Sequence, residues 1–167
     1  HMEHMLRKTK ENILKDTRES VKYAKKLCQD VEFSAQDATR TDKDFLIEVL
    51  KIAVEEGATT INVPDTVGYA TPKDYLDLLQ SVYEDVKCGN EDVIISTHCH
   101  NDLGLAVANS LTAITAGARQ IEGAINGIGE RAGNTSTEEI IMAIKTRQDQ
   151  FEVDIKAETT EIFETSR

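Results

Sequence analysis

The chain has 167 residues, of which 40% are hydrophobic and 29% are charged. This composition is typical of a globular protein with a hydrophobic core, and the length fits one domain. The formal net charge of -11 argues against nucleic-acid binding, which needs lysine and arginine to neutralise phosphates. No apolar run approaches the roughly 20 residues of a membrane span. We therefore expect neither a nucleic acid nor a membrane as a partner.

The cysteines and the first residues indicate the compartment. Cys28, Cys88 and Cys99 are an odd number without Cys-x-x-Cys spacing, and reduced thiols are typical of the cytosol. The first residues are polar and charged, unlike a signal peptide, and His1-Met2 looks like a cloning remnant. These features predict a cytoplasmic protein in which residues 1–4 are a tag remnant.

Helical and strand patterns alternate along the chain. Hydrophobic residues at helical spacing predict helices over residues 5–29, 41–56, 71–87, 104–116 and 135–144. Short β-branched or apolar runs predict strands over residues 31–34, 59–63, 93–97 and 120–125. Thr41 is the predicted N-cap of the second helix, and Thr71 with Pro72 begins the third. We expect residues 148–167 to form a tail, as a loop or a short extra helix.

This order predicts an α/β fold with a parallel sheet built from (βα)4 repeats. The connections are long enough to join parallel strands. The chemically unusual residues follow the strands, whereas the loops before the strands are Gly-Ala-type turns, a pattern typical of barrels and open parallel sheets. A complete (βα)8 barrel takes about 250 residues. Residues 5–147 are therefore expected to form either an open sheet or part of a barrel.

The strongest chemical signal is the pair His98 and His100. Residues two apart on a strand share a face, so the two imidazoles are placed to chelate a divalent metal. The alternative is a pair of surface histidines at a strand end. Asn134, in the next strand–helix loop, is the natural third ligand through its side-chain oxygen. Asp102 either orients an imidazole or caps the fourth helix, and Cys99 should face the helices.

Other polar residues in these loops have two interpretations each. Glu130 lies in a glycine-rich loop whose N–H groups near a helix start are suited to an anionic substrate, although a tight turn with a Glu130–Arg131 ion pair is as consistent. Glu32 either faces the barrel interior or points outward at the rim. Asp65 and Thr66 either bind substrate oxygens or form an ordinary turn.

Four segments together resemble the 2-isopropylmalate synthase family of metal-dependent acyltransferases: residues 31–34, 59–69, 96–104 and 125–134. The resemblance extends from about residue 21 to residue 145, and the segments STHCHNDLGLAVANS and INGIGERAGN are highly specific in combination. Homocitrate and citramalate synthases are close relatives of this family. Hydroxymethylglutaryl-CoA lyase and the transferase domain of pyruvate carboxylase are more distant relatives.

The resemblance implies a TIM barrel, a (βα)8 barrel, that condenses acetyl-CoA with 2-oxoisovalerate (3-methyl-2-oxobutanoate) to 2-isopropylmalate in leucine biosynthesis. A divalent metal ion (Mn, Mg, Zn or Co) at the carboxyl ends of the strands holds the 2-oxo acid and polarises its carbonyl group. A base removes a proton from the acetyl methyl group, and the enolate attacks that carbonyl.

The resemblance also assigns roles to individual residues. By position, His98, His100 and Asn134 resemble the family's metal ligands. Glu32 and Thr66 resemble residues that line the 2-oxo acid site. The loop beside the metal and the acyl group contains two further candidates, Glu130 and Gly133. The candidate catalytic carboxylates are Glu32 and Glu130, and the candidate substrate-binding residues are Glu32, Thr66 and Gly133.

One departure from the family limits these expectations. The family's first strand ends in an Arg-Asp-Gly-Glu-Gln block that supplies a metal-ligand aspartate, and these 167 residues contain no such block. The chain resembles the C-terminal half of the barrel, without a leucine-binding regulatory domain. We therefore expect three of four protein metal ligands and no synthase activity from this chain alone.

A half-barrel leaves two sheet edges and an inner face, expected to be apolar, uncovered. These surfaces predict a homo-oligomer. Two other functions fit the sequence: a fragment of a homocitrate or citramalate synthase, or a non-catalytic metal-binding α/β module.

Overall fold

The computed structural model describes residues 8–167, so the expected tag remnant at residues 1–4 lies outside the described part. Five main helices are present: α1 (Lys10–Leu27), α2 (Lys43–Glu55), α3 (Pro72–Val82), α4 (Ala106–Thr115) and α5 (Thr137–Thr146). The strands are β1 (Glu32–Ser34), β2 (Thr60–Asp65), β3 (Ile94–Cys99) and β4 (Gln120–Glu122). A π-helical turn over Tyr83–Lys87 extends α3, and a short helix, α6, spans Ile162–Thr165.

The strands form one parallel sheet in the order β1-β2-β3-β4, with a helix between each consecutive pair. The predicted (βα)4 fold is confirmed. Both β2 and β3 are longer than predicted, because Pro64, Asp65, His98 and Cys99 continue the pairing between these strands.

The sheet is strongly curved. Gln120 Nε2 on β4 donates a hydrogen bond to Glu32 Oε2 on β1 over 2.7 Å, although these strands are the two edges of the sheet. In a flat sheet with strands about 4.8 Å apart, the first and fourth strands would lie about 14 Å from each other. The contact therefore shows that the sheet closes around a concave inner face, as expected for half of a barrel.

The outer face of the sheet carries the main hydrophobic core. Ile61, Val63, Ile95 and Cys99 are fully buried there beneath side chains of α2, α3 and α4. Cys99 therefore faces the helices, as predicted. Burial of each such side chain contributes roughly 1.5–3 kcal/mol, which makes this layer the principal source of stability.

The inner face is polar, so the expectation of an apolar inner face is wrong. Asn62 donates to Ser34 over 3.3 Å, and Gln120 donates to Ser96 over 3.0 Å, which links the side chains of neighbouring strands into a row. Strand alternation explains the arrangement, since the residues between these positions are the ones buried beneath the helices.

Two of the predicted helix starts can be compared with the structure. Thr71 and Asp74 form a capping box at α3, as the sequence indicates. At α2 the prediction of Thr41 is wrong, because Asp42 accepts a hydrogen bond from the Phe45 amide over 3.1 Å. The Thr41 hydroxyl instead donates to the Asp37 carbonyl over 2.9 Å.

The last twenty residues are mostly irregular and end in short helical turns. Three of their side chains, Phe151, Val153 and Ile155, pack against a small cluster of isoleucines on α4 and α5, Ile114, Ile140 and Ile144. No helix within residues 8–167 combines the length and the apolar character needed to cross a membrane.

Candidate functional site

The paired histidines converge at the carboxyl end of β3. His98 lies in the strand and His100 directly after it, and their Nε2 atoms are 3.2 Å apart. Two nitrogen atoms that bind one metal ion at about 2.1 Å, at angles of about 90–110°, lie about 3.0–3.4 Å apart. The separation of the two Nε2 atoms fits two ligands on one metal ion, and it also fits an N–H···N hydrogen bond between the two imidazoles.

Glu122 contacts His98 through the ring nitrogen that does not face His100. The parallel pairing of β3 with β4 sets Glu122 beside His98, and its Oε2 lies 2.8 Å from His98 Nδ1. When Nδ1–H donates to this carboxylate, the lone pair remains on Nε2, the atom that faces His100. The sequence-based interpretation treated Glu122 only as a strand residue. The signal that was available is the polar–apolar–polar alternation of Gln120, Ile121 and Glu122, which places Gln120 and Glu122 on one face of β4.

Backbone pairing brings Asn134 next to His100. It forms an isolated antiparallel bridge with His100, and its side-chain Oδ1 is buried without a hydrogen-bond partner among residues 8–167. Gly129 makes room for this side chain, since a Cβ at position 129 would lie 2.6 Å from Asn134 Oδ1. A buried carbonyl oxygen without a partner is costly unless a ligand completes it.

The environment of His100 favours the neutral imidazole. Burial lowers the pKa of His100, and the neighbouring His98 and Arg131 lower it further. A neutral imidazole is the form that binds metal ions. Its Nδ1 atom is buried and has no hydrogen-bond partner within the described residues.

Two imidazole nitrogens and one amide oxygen form a donor set that fits a divalent cation such as Zn²⁺, Mn²⁺ or Co²⁺. Within residues 8–167, no group of three or more histidine, cysteine or carboxylate side chains could hold a metal ion. The three donors from this chain would therefore leave coordination positions open.

Glu32 faces the inner side of the sheet rather than outward at the rim. Its carboxyl group accepts the hydrogen bond from Gln120. Partial burial raises the pKa of Glu32, and the neighbouring Glu122 carboxyl group raises it further. Glu32 thus neighbours Glu122, the hydrogen-bond partner of His98.

Asp65 ends β2 and Thr66 begins the loop after it, and the two residues have different roles. The Asp65 carboxylate is fully buried and accepts hydrogen bonds from Thr39 Oγ1 at 2.9 Å and from the amides of Tyr69 and Ala70 at 3.1 Å. For Asp65 the turn interpretation is therefore correct. Thr66 Oγ1 accepts a hydrogen bond from the Asp37 amide over 2.9 Å, which ties this loop to the loop after β1.

The glycine-rich loop uses its backbone groups internally. The Gly133 amide donates to the Glu130 carbonyl over 3.0 Å, and the Gly133 carbonyl accepts from the Asn101 amide over 2.9 Å. The amides of Asn134 and Thr135 also donate to backbone carbonyls. The expectation that amides of this loop are free for an anionic substrate is wrong at these positions. With φ at +99° and a Cβ there colliding with the Gly127 carbonyl oxygen, position 133 requires glycine.

Arg131 joins three of the strand–helix loops. Its guanidinium contacts both carboxylate oxygens of Asp102, at 2.8 and 3.0 Å, and donates to the Thr66 carbonyl over 2.8 Å. Asp102 does not cap α4, because the Asn101 side chain accepts the Ala106 amide over 3.1 Å. Glu130 is exposed, with its carboxylate 3.6 Å from Arg131, so the predicted ion pair forms.

Comparison with known proteins places this geometry in a family. The HMGL-like family model matches residues 1–167. The chain is 54% identical to 2-isopropylmalate synthase from Cupriavidus necator over 168 residues, covering 100% of this chain and 33% of that protein. It is 55% identical to 2-isopropylmalate synthase from Clostridium kluyveri, covering 99% of this chain and 32% of that protein. The chain thus spans about a third of the length of these relatives.

Solved structures show the same fold at low sequence identity. HMG-CoA lyase from Bacillus subtilis superimposes with a TM-score of 0.73 and 19% identity, over 92% of this chain and 53% of that one. The carboxyl transferase domain of Rhizobium etli pyruvate carboxylase gives a TM-score of 0.67 and 18% identity, over 89% of this chain and 25% of that one. The resemblance predicted from the sequence is confirmed, and the chain belongs to the HMGL-like family.

Proposed function

We propose that this chain is part of a 2-isopropylmalate synthase and forms the half of the barrel that carries most of the metal ligands. The complete protein would condense acetyl-CoA with 2-oxoisovalerate to give 2-isopropylmalate in leucine biosynthesis. The observation that carries the proposal is the 3.2 Å separation of the His98 and His100 Nε2 atoms. The 52–55% identity to proteins of that name supports the choice of reaction.

In this proposal His98, His100 and Asn134 hold a divalent metal ion, with Mn, Mg, Zn and Co as the candidates. The bound ion supplies Lewis-acid polarisation of the 2-oxo carbonyl group. The unpartnered, buried Oδ1 of Asn134 supports its place in the ligand set, since a metal ion would satisfy this oxygen.

Glu32 and Thr66 are proposed to bind the 2-oxo acid. Glu32 lies on the inner face of the sheet. Thr66 follows β2 at the carboxyl ends of the strands, where the histidines also lie. Glu32 is also a better candidate than Glu130 for the base that takes a proton from the acetyl methyl group. The raised pKa of Glu32 brings its carboxylate closer to that of an effective general base, whereas the Glu130 carboxylate is paired with Arg131. Gly133 would shape the loop beside the substrates.

We also propose that this chain alone lacks synthase activity, because its three donors leave the metal incompletely held. The free edges of β1 and β4 are proposed to join copies of the chain into a homo-oligomer, since unpaired strand edges readily associate. Cys28, Cys88 and Cys99 carry free thiols, which supports a cytoplasmic location.

Metal binding by the purified chain tests the proposal. Calorimetric titration with Zn²⁺ or Mn²⁺ should show one site per chain, and His98→Ala should weaken binding at least about tenfold. The reference protein should carry substitutions of His1 and His4, which would otherwise bind metal ions independently. Absence of binding in the reference protein, or equal binding by His98→Ala, would contradict the proposed site.

The remaining parts of the proposal have separate tests. Thiol release from acetyl-CoA in the presence of 2-oxoisovalerate should stay at background, and clear turnover would contradict the inactivity of this chain. Analytical ultracentrifugation should detect an oligomer, and a stable monomer at high concentration would contradict the proposed association.

A further inference from the structure

Glu122 and His98 form a partly shielded pair. Their side chains keep 36% and 27% of their accessible surface, and Glu122 Oε2 lies 2.8 Å from His98 Nδ1. Both residues lie in paired strands at matched positions, so their separation is set by the sheet rather than by a mobile loop. A hydrogen bond between partly desolvated groups is stronger than one in water.

This contact favours Nε2 as the nitrogen of His98 that binds a metal ion. With the proton on Nδ1 and directed at the carboxylate, the lone pair on Nε2 points to the position between the two imidazoles. Without an acceptor at Nδ1, the imidazole is free to carry its proton on Nε2, which would block the ligand atom.

A row of polar side chains on the concave face leads toward Glu122. The Glu32 carboxyl group accepts a hydrogen bond from the Gln120 side chain over 2.7 Å, and the neighbouring Glu122 carboxyl group raises the pKa of Glu32. The same amide nitrogen lies 3.0 Å from Ser96 Oγ. These polar contacts thus run from the middle of β3 across the concave face to Glu32, whose carboxyl group neighbours that of Glu122, the partner of His98.

We propose that Glu122 is a positioning residue that holds His98 in the Nδ1–H tautomer and orients its ring for metal binding. The inference rests on the metal site proposed above and adds a residue to it. Loss of a carboxylate that orients a metal-binding histidine typically weakens metal affinity by about 10–100-fold.

Two substitutions separate the charge of Glu122 from its hydrogen bond. Glu122→Ala removes both, and metal affinity should fall by about 10–100-fold. Glu122→Gln keeps the shape and an acceptor oxygen but loses the charge, so its affinity should be intermediate. Glu139→Ala on the exposed side of α5 is the matched control and should bind metal like the wild type.

The tautomer of His98 provides a readout that does not depend on metal or on activity. Imidazole ¹⁵N shifts measured without metal at pH 8 should show Nδ1–H for His98 in the wild type. They should show a shift toward Nε2–H in Glu122→Ala. Circular dichroism and urea unfolding test whether the variants are folded. If Glu122→Ala is unfolded, the isosteric Glu122→Gln replaces it in both measurements.

The outcomes distinguish this inference from the proposed function. Absence of metal binding by the wild type would contradict both the proposed metal site and the positioning role of Glu122. If the wild type binds metal while Glu122→Ala keeps both its affinity and its His98 tautomer, only the role of Glu122 is overturned.

Discussion

The two faces of the sheet are built from alternating residues of the same four strands, but one face packs against the helices and the other carries polar side chains. On the outer face, Ile61 and Ile95 are fully buried under the helices. On the inner face, Ser96 and Gln120 hydrogen-bond to each other, and the row leads toward His98. Residues that stabilise the fold therefore alternate with residues that line the candidate site along each strand, because consecutive side chains point to opposite faces.

This separation explains why strand register matters so much here. A shift of one residue in β3 would exchange its two faces, directing the histidines toward the helices and Cys99 toward the inner face. The apolar packing of the outer face prevents that shift. The outer face therefore positions the histidines without contacting any ligand.

The largest expected effect comes from adjacent isoleucines on opposite faces. Ile95→Ala should lower the free energy of unfolding by about 2–5 kcal/mol, because it opens a cavity in the core. Ile94→Ala should cost much less, since Ile94 is 40% exposed on the inner face. Urea unfolding of the two variants measures the difference, and equal costs would refute the assignment of the faces.

A substitution next to the candidate site should change metal affinity more than it changes the free energy of unfolding. Gly129→Ala places a Cβ against Asn134 Oδ1, so metal affinity should fall about tenfold, which is about 1.4 kcal/mol of binding free energy. Its effect on urea unfolding should stay well below that of Ile95→Ala. Ile128→Ala is the control, because Ile128 is exposed and should change neither quantity. Unchanged metal affinity in Gly129→Ala would argue against Asn134 as a ligand.

The smallest expected effect compares two neighbouring hydroxyl groups. Thr97→Val removes a buried hydrogen bond with the Tyr75 hydroxyl and should cost about 1 kcal/mol in urea unfolding. Tyr75 still donates to the Val63 carbonyl, which limits the loss. Ser96→Ala on the inner face should cost less, since Gln120 is partly exposed and keeps Glu32 as an acceptor. A larger loss for Ser96→Ala would show that the inner face also carries stability.

Local patterns in the sequence were sufficient for much of the fold. The periodicity of the apolar residues predicted all four strands and the five main helices, and the alternation in β3 placed Cys99 beneath the helices correctly. The cap of α2 was assigned to the wrong neighbour, because Thr41 and Asp42 are both good N-cap residues and only their backbone geometry distinguishes them.

The sequence by itself determined the element order, the parallel sheet and the shared face of His98 and His100, because these follow from periods of two and 3.6 residues along the chain. Only the tertiary structure decided which distant polar groups meet. Glu122 reaches His98 across 24 positions and Gln120 reaches Glu32 across 88, and both contacts depend on strand register and sheet curvature. These two quantities arise from the packing of the whole sheet against its helices, so no local pattern encodes them.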